Sequence, residues 1–176
     1  MQAVALAGGL ATRTRPRTLT LPKSMLEVAG RPFFAWQLEA LARSGYSRVL
    51  LCIGRLGEQL RELVAGGAAF GLIAEYSEDG PKLLGTAGAL RRALPLPEPT
   101  FRVTYGDSYL PFDYSAPLRD LDAHPEALRT MSVFENRGQW DASSTRVEGE
   151  LVVSYENGAT SPDVTFIDYG AQRPSA

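Results

Sequence analysis

The sequence predicts an α/β fold, a Rossmann-like three-layer sandwich with an open, mostly parallel central sheet. Short apolar runs alternate with amphipathic stretches along the chain, and this alternation is typical of parallel α/β sheets. The predicted strand at 47–53 is apolar from Val49 to Ile53, as expected for a strand covered on both faces. The 176 residues, of which 44% are hydrophobic, suit a single domain over 1–176 with its own core.

The first half of the chain is predicted to contain three strands and two helices. Residues 2–7 are an apolar first strand, and the loop that follows at 8–22 is rich in Gly, Thr and Pro. Pro32 begins a helix, since a first helical turn leaves its N–H groups unpaired, and Gly45 ends it. The other elements of this half are a strand at 47–53, a helix through Leu56, Leu60, Leu63 and Val64 that ends at Gly66 and Gly67, and a strand at 71–76.

The second half is predicted to add a fourth strand and further helices and strands. A helix at 86–94 and a loop at 95–99 precede the fourth strand at 100–105, and Leu118 and Leu121 indicate another helix. Strand-like pieces follow near 128–135, 145–153 and 164–168. Because ligands of open parallel sheets bind outside the carboxyl ends of the strands, the loops after strands one and four are predicted to lie together at that edge.

The loop after the first strand has the composition of an anion-binding site. Gly8 and Gly9 let the backbone approach a ligand closely, and successive N–H groups in such a turn form an anion-binding concavity. Arg13 supplies a planar, permanently charged fork, and Lys23 supplies a second cation. Together the two cations could neutralise much of a triphosphate.

Two common phosphate motifs do not fit this loop. A Walker loop needs Gly-Lys-Ser/Thr, which the chain lacks, and the Gly-x-Gly-x-x-Gly fingerprint fails at Leu10 and Arg13. A surface turn with incidental basic residues remains the alternative on these residues alone. The pair Gly106-Asp107 after the fourth strand has a similar alternative, since Gly-Asp is common turn chemistry.

Four stretches taken together resemble the sugar-1-phosphate nucleotidyltransferase family. Ala7 to Lys23 is similar to its Gly-Gly-x-Gly-Thr-Arg … Pro-Lys motif, 84–90 to its base-recognition loop, 105–107 to the motif whose aspartate binds magnesium, and 166–170 to its sugar-binding strand start. These enzymes condense a nucleoside triphosphate with a sugar 1-phosphate and release pyrophosphate. The resemblance implies the nucleotide-diphospho-sugar transferase fold. The stretches 52–59 and 106–110 look closest to the heptose or mannose 1-phosphate guanylyltransferase-like branch.

The resemblance also implies a role for each matching residue. In-line attack on the α-phosphorus depends on positioning and charge neutralisation, and the implied catalytic residues are Arg13, Lys23 and Asp107, with Mg²⁺ held by Asp107. The implied nucleotide-binding residues are Leu6, Ala7, Gly8, Gly9, Ala11, Thr12, Arg13, Lys23, Gly85, Thr86, Gly88 and Asp107. Tyr105, Glu156 and Asp168 are the implied sugar-binding residues.

The sequence departs from the family pattern at several positions. Ala11 stands where Gly is usual, which is tolerable if its φ is negative and costly otherwise. Thr14 stands where Leu is usual, and Asn157 follows Glu156 where the family often carries a lysine. Family members usually continue to a Trp-x-Asp-x-Gly-Thr segment that supplies a second metal aspartate, so we expect a domain short at its C-terminus with slow turnover. A catalytically weak nucleotide- or nucleotide-sugar-binding regulatory module, and transfer to an alditol phosphate or phosphocholine, stay open as alternatives.

Composition does not favour nucleic acid or a membrane as a partner. The net charge of -2 gives no bulk electrostatic case for nucleic acid or an anionic membrane. The N-terminal apolar run is too short to span a membrane and lacks a basic leader region, so we expect a cytoplasmic protein. Cys52 is the single cysteine and is expected to be buried in its strand. The expected partners are a nucleoside triphosphate and a sugar 1-phosphate, and a homo-oligomer is left open.

Overall fold

The computed structural model describes residues 1–96, 101–136, 138–140, 142–156, 158 and 160–174, with the backbone alone at 169 and 171–174. Most of the predicted loop at 95–99, the start of the fourth strand at residue 100, and Asn157 lie outside the described residues.

Ten strands and four helices make up the regular structure of the described residues. The strands are β1 (Gln2–Leu6), β2 (Glu27–Val28), β3 (Arg31–Pro32), β4 (Arg48–Ile53), β5 (Ile73–Glu78), β6 (Phe101–Tyr105), β7 (Arg129–Glu135), β8 (Thr145–Glu148), β9 (Leu151–Tyr155) and β10 (Phe166–Pro174). The helices are α1 (Phe33–Arg43), α2 (Gly57–Val64), α3 (Gly85–Ala93) and α4 (Ala116–Ala123). Short 3-10 turns lie at Thr12–Thr14, Arg17–Leu19, Lys23–Met25 and Ala68–Phe70.

Eight of the strands form one sheet in the order β5-β4-β1-β6-β10-β8-β9, with β7 pairing β10. The pairs β4–β5, β1–β4 and β1–β6 are parallel, whereas β10 pairs antiparallel with β6, β7 and β8. The predicted open parallel sheet is therefore confirmed for the part from β5 to β6. The sheet continues beyond β6 as an antiparallel extension.

Two apolar clusters cover the two faces of the parallel strands. Alternate strand residues such as Ala3 and Leu51 pack with α1 and α2, including the fully buried Phe34. The intervening residues, such as Val4, pack with α3 through Ala93. Because side chains alternate between the faces of a strand, strands that are apolar at every position require helices on both sides. This arrangement is the predicted three-layer sandwich.

Four expectations about the elements differ in detail from the structure. The piece predicted near 145–153 is a hairpin, in which β8 and β9 are joined by a two-residue turn with Gly149 at a φ of 60°. The third strand runs at 73–78 rather than 71–76, and the last extends to residue 174 rather than 168. The predicted loop at 8–22 contains two 3-10 turns, whose short polar sequences carry no apolar period.

The carboxyl ends of β1, β4 and β6 are tied together by backbone hydrogen bonds. Ala7 N donates to Cys52 O at 2.9 Å, and Gly106 N donates to Leu6 O at 2.9 Å. The loops after the first and fourth predicted strands therefore share one edge, as expected. Among the described residues, no helix has the length and apolar character needed to cross a membrane.

Candidate functional site

A cleft of about 640 Å³ opens at this edge of the sheet, within the size range of small-molecule sites. One wall is the loop after β1, a second is the start of α3, and a third is the turn after β6. The residues that line the cleft are Leu6, Ala7, Gly8, Gly9, Leu10, Ala11, Thr12, Arg13, Thr14, Lys23, Ser24, Cys52, Asp79, Leu83, Gly85, Thr86, Ala89, Tyr105, Gly106 and Asp107. Of the predicted nucleotide-binding residues, all but Gly88 lie in this set.

Gly8 and Gly9 have different reasons to be glycine. A Cβ on Gly8 would lie 3.1 Å from Gly54 N and 3.3 Å from Asp79 Oδ2, so a side chain there would require these neighbours to shift. A Cβ on Gly9 would meet nothing within 4 Å. The open space at Gly9 leaves the loop backbone accessible from the cleft.

Ala11 adopts the left-handed conformation that a glycine would occupy without strain. Its φ is 48° and its ψ is 45°. Alanine at this position would be free of strain only with a negative φ, so Ala11 is strained. Its carbonyl accepts hydrogen bonds from Thr14 Oγ1 at 2.9 Å and from Thr18 Oγ1 at 2.8 Å. The hydroxyl of Thr14, which stands where Leu is usual, thus stabilises the strained residue three positions earlier.

A second set of side chains fixes the part of the loop that leads to Lys23. Arg55 donates to the carbonyls of Thr18 and Leu19 at 3.1 and 2.5 Å, and Gln59 Nε2 donates to Thr20 O at 2.8 Å. Arg55 lies two residues before α2 and Gln59 lies in its first turn, on a different segment of the chain. They stabilise the return of the loop toward the cleft.

The predicted catalytic residues meet at the mouth of the cleft. Lys23 Nζ lies 2.7 Å from Asp107 Oδ2, and the two side chains are 39% and 38% exposed. The turn that carries Asp107 is held by the fully buried Gln37 of α1, whose Nε2 lies 2.6 Å from Tyr105 O and 2.8 Å from Ser108 O. Arg13 lines the same cleft.

The start of α3 brings Gly85 and Thr86 to the cleft but not Gly88. A Cβ on Gly88 would lie 2.8 Å from Leu84 Cβ, so the absence of a side chain there relieves packing within the helix. Sequence reasoning missed Asp79, which lies directly after β5, lines the cleft and is 6% exposed. Its position at the carboxyl end of a parallel strand, like that of Asp107, was the signal that could have identified it.

The three predicted sugar-binding residues fall in different places. Tyr105 lines the cleft, and its hydroxyl donates to Asp168 Oδ2 at 3.0 Å. Tyr155 donates to the same oxygen at 3.3 Å, and Gly170 N donates to Asp168 Oδ1 at 2.8 Å. Burial and the neighbouring Asp168 carboxylate raise the pKa of Tyr105 and of Tyr155. Both tyrosines are therefore neutral donors at physiological pH.

Glu156 does not join the cleft. Its side chain is exposed, and it lines a separate polar depression with Arg146 and Asp163 on the antiparallel extension. The structure therefore places Tyr105 and Asp168 together and leaves Glu156 apart from them.

A metal ion would have one carboxylate at the mouth of the cleft. Within the described residues, no group of three or more His, Cys, Asp or Glu is placed to hold a metal. Mg²⁺ is commonly held by one or two carboxylates together with substrate phosphates and waters. Asp107, facing the phosphate loop, fits a metal that is completed by a bound phosphate.

A family model described as nucleotidyl transferase matches residues 2–140, a range that contains every cleft-lining residue. The chain belongs to the nucleotidyl transferase family. Its relatives are sugar-1-phosphate nucleotidyltransferases, and those of heptose and mannose 1-phosphate are among them.

Relatives of known activity transfer different nucleotides. The N-acetylmuramate alpha-1-phosphate uridylyltransferase of Neisseria meningitidis is 36% identical over 128 residues, which cover 72% of this chain and 55% of that protein. The D-glycero-alpha-D-manno-heptose 1-phosphate guanylyltransferase of Campylobacter jejuni is 30% identical over 157 residues, 89% of this chain and 68% of that protein. The chain thus spans about half the length of the Neisseria relative.

Solved structures share the fold of this nucleotidyl transferase domain. HddC from Yersinia pseudotuberculosis, complexed with GMP-PN, superposes with a TM-score of 0.79 at 22% identity and covers 99% of this chain, or 76% of its own. The inositol-1-phosphate CTP transferase of T. maritima superposes with a TM-score of 0.81 at 22% identity, over 99% of this chain and 70% of its own. The predicted nucleotide-diphospho-sugar transferase fold is confirmed.

Proposed function

We propose that this protein transfers a nucleotidyl group from a nucleoside triphosphate to a sugar 1-phosphate, giving a nucleotide sugar and pyrophosphate. The observation that carries the proposal is that the Gly8–Gly9 loop and the Lys23–Asp107 pair face one cleft at adjacent strand ends. Membership of the nucleotidyl transferase family, whose relatives act on sugar 1-phosphates, supports it.

The reaction exchanges one phosphoanhydride bond for another. An oxygen of the sugar phosphate forms a bond to the α-phosphorus, the bond from that phosphorus to the bridging oxygen of the β-phosphate breaks, and pyrophosphate leaves. Backbone N–H groups of the loop and the Arg13 guanidinium would hold the leaving pyrophosphate. Lys23 would bridge the α-phosphate and the incoming phosphate. These groups supply positioning and charge neutralisation, which are the main requirements of phosphoryl-type transfer.

Asp107 would hold Mg²⁺ together with the substrate phosphates, and the ion would neutralise phosphate charge as the α-phosphorus reacts. Lys23 and Asp107 are paired with each other at 2.7 Å. In the working site the lysine would instead contact phosphate, and the carboxylate would face the metal.

The two ends of the cleft would receive the two ends of the product. Gly85 and Thr86, which line the cleft at the start of α3, would contact the base. Tyr105, oriented by Asp168, would meet the sugar phosphate at the end nearer β6. Gly88 and Glu156 are left outside this assignment because neither lines the cleft.

The test is release of pyrophosphate with Mg²⁺ across the common nucleoside triphosphates, each combined with a panel of sugar 1-phosphates. The expected result is release that requires both substrates and yields a nucleotide sugar. Release that is independent of the sugar 1-phosphate would indicate a hydrolase, and triphosphate binding without any release would contradict transfer. Lys23→Met gives a matched inactive variant, since it keeps an unbranched side chain only one atom shorter and removes the charge.

A further inference from the structure

Asp79 is a buried carboxylate at the end of the cleft away from Asp107. It directly follows β5, whereas Asp107 follows β6, and three strand spacings separate these strands in the sheet. Each spacing is about 4.8 Å, so the two strand ends are roughly 14 Å apart. The phosphate loop after β1 lies between them. Asp79 is therefore placed where the base would lie if the phosphates occupy the loop.

The surroundings of Asp79 leave its carboxylate available to a ligand. Oδ2 accepts a hydrogen bond from Leu84 N at 3.3 Å, near the start of α3. Within the described part of the chain, no hydrogen bond reaches Oδ1. A Cβ on Gly54 would lie 3.2 Å from Oδ2, and a Cβ on Gly8 would lie 3.3 Å from it. Two glycines thus keep the space beside this carboxylate free of side chains.

Stabilising the start of α3 does not by itself explain why the Asp79 carboxylate is buried with one oxygen left without a hydrogen bond among the described residues. Accepting one long hydrogen bond from Leu84 N uses a single lone pair of Oδ2. A carboxylate that is only 6% exposed is costly to bury unless its oxygens find donors. Its negative charge acts on its neighbours, since burial and then Asp79 raise the pKa of Cys52 to about 12. The cleft is the direction from which the missing donors can come.

We propose that Asp79 selects the base of the bound nucleotide, and that the selected base is guanine. This inference rests on the proposed function. An ionised carboxylate only accepts hydrogen bonds. Guanine presents two adjacent donors on its Watson–Crick edge, N1–H and the 2-amino group, and these match the two oxygens of one carboxylate. None of the other bases presents two adjacent donors on this edge.

Rejection of the other bases follows from the same geometry. Uracil and thymine would place a carbonyl oxygen against the second carboxylate oxygen. Adenine and cytosine would place an unprotonated ring nitrogen there. A buried acceptor that faces another acceptor loses its hydrogen bond and gains repulsion, which discriminates more strongly than a difference in fit.

The first test uses the unmodified protein and calorimetric dissociation constants with Mg²⁺. GTP should bind more tightly than ATP, CTP, UTP or TTP. Inosine triphosphate lacks only the 2-amino group and should bind about tenfold to a hundredfold more weakly than GTP, the effect of one hydrogen bond to a charged group. Equal binding of GTP and inosine triphosphate would overturn the inference.

The second test inverts the pattern of acceptors. Asp79→Asn offers one acceptor and one donor, which match N1–H and the 2-carbonyl of xanthine. The variant should therefore prefer xanthosine triphosphate to GTP, and the unmodified protein should show the opposite order. Asp113→Asn, the same change at an exposed aspartate outside the cleft, should keep the original order. A retained preference of Asp79→Asn for GTP would overturn the role of this carboxylate.

The outcomes separate this inference from the proposed function. If the protein binds another triphosphate more tightly than GTP, and Arg13→Ala weakens that binding, the phosphate site stands and the base assignment falls. If no triphosphate binds, both fall.

Discussion

Lys23 Nζ and Asp107 Oδ2 lie 2.7 Å apart, although the two residues are separated by 84 positions in the chain. Two of the three implied catalytic charges are thus counter-ions of each other. Both side chains are more than a third exposed, and ion pairs of that kind stabilise a fold by about 0–1 kcal/mol. Substrate phosphates and a metal can therefore replace this pair at little cost in stability.

Asp107→Asn is expected to remove metal dependence without unfolding the protein. The amide keeps the shape of the side chain but loses the charge that a hard cation requires. Urea unfolding should show a change in the free energy of unfolding of no more than about 1 kcal/mol, the scale of an exposed ion pair. Triphosphate binding should become insensitive to Mg²⁺. Full Mg²⁺ dependence in the variant would place the metal elsewhere.

Arg13→Ala is expected to weaken triphosphate binding by about 1.5–3 kcal/mol, the scale of a hydrogen bond to a charged group. Arg17→Ala is the matched control, since Arg17 lies on the same segment of chain but does not line the cleft. Isothermal calorimetry with GTP and UTP gives both dissociation constants. A phosphate loop is excluded if Arg13→Ala binds as the unmodified protein does, or if Arg17→Ala loses as much affinity as Arg13→Ala.

The parts of the site that sequence reasoning placed well are those determined by strand ends. Gly8, Arg13 and Asp107 follow apolar runs, and parallel strands bring their carboxyl ends to one edge. The alternation of apolar runs with amphipathic stretches also predicted the three layers. The strand-end positions and the layers therefore follow from the hydrophobic periodicity and composition of the sequence.

The parts that sequence reasoning missed depend on contacts between distant segments. Gln37 holds the turn of Asp107 from α1, and Arg55 holds the phosphate loop from two residues before α2. Neither residue has a local sequence pattern that distinguishes it from an ordinary polar surface residue. The hairpin at 145–155 did have a local signal, since Gly149 and Glu150 separate two strand-like runs by the two residues of a tight turn, and the sequence-based prediction joined the two runs into one piece.

Asp168→Asn is expected to affect the sugar phosphate more than the nucleotide. The carboxylate orients the Tyr105 hydroxyl at 3.0 Å, and an amide would accept with one oxygen instead of two. The KM for the sugar 1-phosphate should rise while the dissociation constant of the triphosphate stays unchanged. Glu156→Gln serves as the comparison, because Glu156 lies outside the cleft, and it should leave both constants unchanged. A larger effect of Glu156→Gln would reverse this assignment.

Ala11→Gly is expected to stabilise the protein by about 0.5–1 kcal/mol. A left-handed alanine costs about 1–2 kcal/mol, and the greater freedom of glycine in the unfolded chain takes back about 0.4–1 kcal/mol of the gain. Ala29→Gly is the matched control, since Ala29 has a φ of 51° in the turn between β2 and β3, away from the cleft. Urea unfolding should show a similar gain for both variants.

Thr18→Val should destabilise the protein, because the buried hydroxyl of Thr18 donates to Ala11 O at 2.8 Å. Since the Thr14 and Thr18 hydrogen bonds hold the loop whichever residue is at position 11, Ala11→Gly should also leave triphosphate affinity unchanged. A loss of affinity in Ala11→Gly, with none in Ala29→Gly, would show instead that the alanine itself keeps the loop in its binding conformation.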